Sequence, residues 1–186
     1  MPLASSISFD LRSGQAIWLK GRNGSGKTSL LKAIAGLIRH EGEVSYDGIS
    51  LTSVARMKLM ATNYFDLKPF SQYNLHDFSA YIKAINGSCD VILPAALDHL
   101  KMQSLGQLSS GQLQLLKMFV INCSRKKIWL IDELDAHFDE ENRACFMDGC
   151  RSFLSSGGFL VIVTHYGLED LEYSKVVLDL SDAAVM

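Results

Sequence analysis

Long apolar runs are missing from this 186-residue chain. No stretch reaches the about 18 residues that a helical membrane span needs, so any membrane role must come through a partner. Residues Met1 to Ser13 lack the basic start and long apolar segment of a secretory signal, so the expected location is cytoplasmic. Cysteine is scarce. Cys89, Cys123, Cys145 and Cys150 form no C-x-x-C pair and have no histidine at zinc spacing, which excludes a disulfide framework and a zinc site. Cys145, Phe146, Cys150, Phe153 and Leu154 recur at helical spacing and read as one buried helix face of reduced thiols and apolar groups. An excess of positive charge is also missing: 18 Lys and Arg face 20 Asp and Glu, giving a net charge of −2. That balance argues against nucleic acid as a partner. Arg125-Lys126-Lys127 is too short to alter it and reads as a solvated helix end. Repeats and low-complexity segments are absent. What remains is 48% hydrophobic and 20% charged, the make-up of a globular protein, and 186 residues suffice for one unit with a sizeable core.

Against that background, Gly21 to Thr28 (GRNGSGKT) fits G-x-x-x-x-G-K-[ST], a phosphate-binding loop. Its flanks supply the required context. Ala16-Ile17-Trp18-Leu19 reads as a short buried strand, and Lys27 to Leu37 carries apolar residues at helical spacing. Glycine freedom lets the backbone of Gly21, Arg22, Asn23, Gly24, Ser25 and Gly26 turn its N–H groups inward as a nest for phosphate oxygens. The helix start adds its positive dipole end. Lys27 would reach the β- and γ-phosphates, and Thr28 would place its hydroxyl on Mg²⁺.

Three further pieces follow in order. Leu108 to Gln112 (LSSGQ) stands before a helix-patterned run, Leu113 to Ile121, with Ser109 or Ser110 as its N-cap. The strand Ile128-Trp129-Leu130-Ile131 ends in two carboxylates, Asp132 and Glu133. A last strand, Phe159 to Val163, ends in Thr164-His165. Elsewhere, Asp47-Gly48 between two short alternating runs signals a hairpin within Gly42 to Leu51. Residues 70 to 107 read as two short helices, Leu75 to Ile85 and Val91 to His99, parted by Asn86-Gly87-Ser88.

The order of loop, LSSGQ, acidic strand and histidine resembles the ATP-binding cassette (ABC) family over nearly the whole chain. The resemblance implies an α/β P-loop NTPase fold of ABC type. It would carry a small antiparallel β-subdomain and a helical subdomain at about 70–107, in one ATP-binding domain over 1–186. It implies ATP hydrolysis with Mg²⁺, a second cassette as homodimer partner, and transmembrane subunits. A leaving phosphoryl group spreads negative charge over its oxygens, so the chemistry is positioning and counter-charge. On the matching positions, Thr28 and Asp132 would hold the metal, Glu133 would polarise the attacking water, and His165 would contact the γ-phosphate. Lys27 completes the catalytic set. Ser109, Ser110, Gly111 and Gln112 would close over the nucleotide of the partner chain. Ala136-His137-Phe138-Asp139 would cross the dimer interface. Asp139 with Glu140 and Glu141 also reads as an N-cap and acidic first turn.

Several positions depart from the family pattern. The loop Asn63-Tyr64-Phe65-Asp66-Leu67 has no glutamine, and Asp66 is its nearest polar stand-in. Leu113-Gln114-Leu115-Leu116-Lys117 replaces an arginine-bearing segment, and Leu134 stands where proline is typical. No aromatic-bearing strand for adenine stacking fits ahead of Gly21, so the expectation is little discrimination between ATP and GTP. Within the family, the match from Leu3 to Leu37 and the compact helical subdomain look like the ATP-binding subunit of the cytochrome c maturation haem exporter. That resemblance implies haem export from the cytoplasmic face of the inner membrane, with Phe70 and Tyr73 as candidate contacts for the membrane subunits. The alternatives are export of another substrate, a soluble ABC ATPase, and a degenerate cassette that binds ATP without turnover.

Overall fold

The computed structural model describes residues 7–87, 90–164, 166 and 175–180. They fall into two compact units. One comprises the described parts of 1–62, 126–133 and 150–186; the other comprises those of 63–125 and 134–149.

The first unit holds a five-stranded sheet among the described residues. Its strands are β1 (Ala16–Lys20), β4 (Met60–Thr62), β5 (Ile128–Asp132), β6 (Phe159–Val163) and β7 (Lys175–Asp179), in the order β4-β5-β6-β1-β7. Every pairing is parallel. The three central strands are near-continuous apolar runs because both faces of a parallel sheet are covered. Ile17, Leu19, Leu130, Ile131, Leu160 and Ile162 are all fully buried. Trp129 lies flat on Phe153, with ring centroids 3.8 Å apart and planes within 2°.

After β1 comes α1 (Lys27–Ile34). The expected helix to Leu37 stops three residues early. Gly36 N donates to Ala33 O and Leu37 N to Lys32 O, the paired bonds of a helix terminator. Two short strands follow, β2 (Ser45–Tyr46) and β3 (Ile49–Ser50), paired antiparallel. Asp47 and Gly48 both have positive φ, 51° and 75°, as the tight turn read from the sequence demands. Next is α2 (Ser53–Leu59), capped by the Thr52 hydroxyl. The sequence reading passed over α2, β4 and β7.

The second unit is helical. It contains α3 (Leu75–Ile85) and α4 (Ser110–Cys123), with the first part of α5 (Glu140–Ser155), which continues into the first unit. Leu75–Ile85 matches the sequence expectation, with Asn74 as N-cap. The helix expected over Val91 to His99 is corrected to a 3₁₀ segment at Ala95–Leu100. Pro94 disfavours helical backbone at the residue before it and has no N–H to give, so the coil starts only beyond it. Asp139 caps α5 by accepting from Asn142 N at 2.8 Å. On α5, Phe146, Cys150 and Leu154 are buried, but Cys145 is exposed, which corrects its placement on the buried face. One residue is a 100° step around a helix, so Cys145 and Phe146 cannot share the centre of one stripe. Phe70 is half-buried, ringed by Tyr73, Phe78 and Tyr81, while Tyr73 is 52% exposed.

Candidate nucleotide site

Because β5, β6 and β1 are adjacent and parallel, their carboxyl ends share one edge of the sheet. The phosphate loop leaves β1 there, Asp132 ends β5 there, and Thr164 follows β6 there. In open parallel sheets, ligands sit beyond this edge.

The loop is shaped by close approach. Gly21 has φ 146°, and a Cβ on it would lie 2.5 Å from Ser25 Oγ, so a side chain is barred by both strain and space. Ser25 Oγ is buried and has no hydrogen-bond partner among the described residues, a polar atom suited to a ligand oxygen. Gly26 is the N-cap of α1 and brings no side chain to its first-turn N–H groups, leaving them to meet an anion. Lys27 is 9% exposed. Its Nζ donates to Gly21 O at 2.8 Å and to Arg22 O at 3.0 Å, drawing the ammonium over its own loop.

Thr28 Oγ1 donates to Asp132 Oδ2 at 2.7 Å. A hydroxyl and a carboxylate at that separation are hard oxygen donors and fit a small divalent cation. Among the described residues no group of three His, Cys, Asp or Glu could hold a metal, so a cation here would take its other ligands from water and phosphate.

Glu133 adopts φ 47°, a left-handed conformation that costs a non-glycine residue about 1–2 kcal/mol. Its N–H donates to Val163 O at 2.9 Å, extending the β5–β6 ladder by one residue. Such strain, held by a fixed neighbour, collects at functional positions.

His165 lies outside the described residues. The residues on either side of it are tied down. Trp18 Nε1 donates to Thr164 O at 3.4 Å, and Tyr166 N donates to Thr164 Oγ1 at 3.0 Å. Trp18 was read from sequence only as a strand residue; an indole in an otherwise aliphatic strand was the available signal, since a buried N–H needs an acceptor. Leu180, just past β7, also went unread. Its N–H donates to Lys20 O, and its Cβ would stand 3.3 Å from a Cβ on Gly21, so it supports the loop from the other side.

In the second unit, LSSGQ is a helix-starting device. Ser109 caps α4: its Oγ accepts from Gln112 N at 3.3 Å, and its own N–H donates to Gln112 Oε1 at 2.8 Å. This reciprocal box decides between the two serines and explains Gln112. Ser109 and Ser110 are exposed. A Cβ on Gly111 would lie 3.1 Å from His137 O, so the start of α4 and the loop at His137 are closely packed. Asp66 uses Oδ1 to accept from Lys68 N at 2.9 Å, a local turn.

A family model described as ABC transporter matches residues 4–136. The chain belongs to the ABC transporter family. The cassette is 33% identical over 178 residues to the cytochrome c biogenesis ATP-binding export protein CcmA of Agrobacterium fabrum (strain C58), covering 88% of this chain and 82% of that protein. The protein of the same name in Legionella pneumophila (strain Paris) is 32% identical over 185 residues, covering 94% and 89%. Among solved structures, the cassette matches an ABC transporter ATP-binding protein from Pyrococcus furiosus with a TM-score of 0.77 at 21% identity, covering 100% of this chain and 94% of that one. A dimeric ATP-binding cassette in a post-hydrolysis state with ADP and Pi gives 0.73 at 18% identity, covering 97% and 87%. At these identities the structural likeness is one of fold. The cassette is an ABC-type ATPase subunit, with an α/β core built on a parallel sheet and a small antiparallel hairpin.

Proposed function

We propose that this ATPase drives an export step of cytochrome c biogenesis, with haem as the cargo. It works as a homodimer on transmembrane subunits at the cytoplasmic face of the inner membrane. The names of the curated relatives support the pathway. No helix among the described residues is long and apolar enough to cross a membrane, which supports reliance on a membrane partner.

The observation that carries the catalytic reading is the meeting of Thr28 and Asp132 at 2.7 Å beside the pinned backbone of Glu133. The loop N–H groups and Lys27 bind the phosphates. Thr28 and Asp132 hold Mg²⁺, which when bound offsets the charge of the β- and γ-phosphates. Glu133 orients and polarises the attacking water, and its fixed backbone limits how far its carboxylate can stray. His165 contacts the γ-phosphate. Ser109 to Gln112 present the start of α4 to the nucleotide of the partner chain, a second anion site supplied in trans.

Deleting the gene tests the pathway. Haem attachment to c-type cytochromes is expected to vanish while b-type cytochromes persist. Normal c-type cytochromes would remove the haem reading. Ser109→Arg tests the trans arrangement: nucleotide binding by the isolated chain should stay near normal while turnover stops, and loss of binding would contradict it.

A further inference from the structure

Lys117 stands two turns into α4, in a stretch where Leu115, Leu116, Met118 and Phe119 are all buried apolar residues. A half-buried ammonium in that company is costly. Burial pushes the Lys117 pKa down, and the Asp66 carboxylate partly opposes it. A methionine would pack there without the desolvation cost, so the charge calls for a reason.

The reason lies in what the ammonium touches. Lys117 Nζ donates to Asn63 O at 3.1 Å, sits 5.5 Å from the Phe65 ring centroid, and feels the charge of Asp66. A carbonyl and a π face from one four-residue stretch thus hold one cation, and a carboxylate of the same stretch adds its charge at longer range. That stretch is where the chain leaves β4: Thr62 is the last residue of the first unit's segment, and Asn63 begins the second. The other end of the tether is the helix that opens with Ser109 to Gln112.

We propose that Lys117 is a positioning residue for ATP turnover, tying residues 63–66 to α4 so that this stretch and the LSSGQ start of the helix move as one piece. The inference rests on the proposed role of Ser109 to Gln112 in closing over the partner's nucleotide. An uncharged residue at 117 would leave the helix intact and remove this tie between it and the stretch.

The test uses the full-length chain with Lys117→Met and Lys117→Arg. In Lys117→Met, amide hydrogen exchange over 63–67 should quicken about tenfold, and kcat should fall about tenfold with KM within about twofold. Lys117→Arg, which keeps the charge and can stack on Phe65, should restore most of both. Unchanged exchange in Lys117→Met would mean no tether exists. Faster exchange with unchanged kcat would make the contact merely structural and overturn the positioning role. So would a parallel loss of kcat, KM and thermal stability. Absence of ATP turnover in the wild type would overturn the functional reading itself, a result on which the exchange measurement does not depend.

Discussion

Thr28 Oγ1 and Asp132 Oδ2, 104 residues apart in sequence, are joined by a 2.7 Å hydrogen bond that ties the first turn of α1 to the end of β5. The bond requires β1 and β5 to place their carboxyl ends on one edge, flanking β6, as the strand order provides. A cation that fits between these oxygens would replace the shared proton contact with its own charge.

Thr28→Val keeps the shape and removes the hydroxyl. Stability should change by about 1 kcal/mol, the net value of one hydrogen bond, while Mg²⁺-dependent ATP turnover falls by about tenfold or more. Chelating divalent cations from the wild type should abolish turnover. Equal Mg²⁺ titrations of turnover for Thr28→Val and wild type would exclude Thr28 as a ligand.

Arg56 is 7% exposed, and its guanidinium donates to Leu51 O, Ala33 O and His40 Nε2 at 3.1, 3.0 and 3.2 Å. An arginine only donates, so the His40 ring nitrogen that it meets is the acceptor. Arg56→Met should destabilise the chain by about 2–4 kcal/mol, because Leu51 O and, at the end of α1, Ala33 O each lose the guanidinium as a donor. Urea unfolding followed by circular dichroism measures this. A change within about 0.5 kcal/mol would mean water replaces the guanidinium.

The capping box makes a separate claim about Ser109. Ser109→Ala should cost about 1 kcal/mol of stability from the lost cap. Pairing it with Gln112→Ala should give less than the sum of the single losses, since the two side chains serve one device. Thermal melts of the three variants decide it, and strict additivity would speak against the box.

Lys117 gives the chain a pH signature. Its pKa is lowered on folding, so between that lowered value and the ordinary 10.5 the unfolded chain holds more protons at this site. Stability contributed by Lys117 therefore rises with pH through that window, and its desolvation cost is fully present below it. Relative to Lys117→Met, the wild type should gain stability as pH is raised from neutral towards 10. Parallel stability curves for the two proteins would show that burial does not shift this group.

Much of the candidate site's local geometry was legible because each piece is a local pattern with a local cause. The GRNGSGKT loop needs glycines because its backbone takes positive φ at Gly21, Gly24 and Gly26, and the apolar runs ending at Asp132 and Thr164 announce buried parallel strands. The hairpin turn at Asp47-Gly48 and the cap at Ser109 are set by their own residues. The misses have other causes. Met60–Thr62 and Lys175–Asp179 are short strands whose identity depends on β5 and β1 lying beside them, so no window of sequence contains the reason. The segment from Val91 to His99 has helical spacing, but Pro94 outweighs it. Glu133's left-handed backbone follows from its bond to Val163, 30 residues on, and had no sequence signal.

The most direct test of ATP hydrolysis at this edge is the turnover of Glu133→Gln beside that of the wild type, measured together with bound nucleotide. Glutamine keeps the size and the backbone bond to Val163 but cannot accept a proton as a carboxylate does. The expected result is ATP bound as tightly as by the wild type, with kcat lower by about 100-fold or more and an ATP-loaded dimer accumulating. Wild-type turnover in Glu133→Gln would contradict the assignment of the water-activating role to this residue.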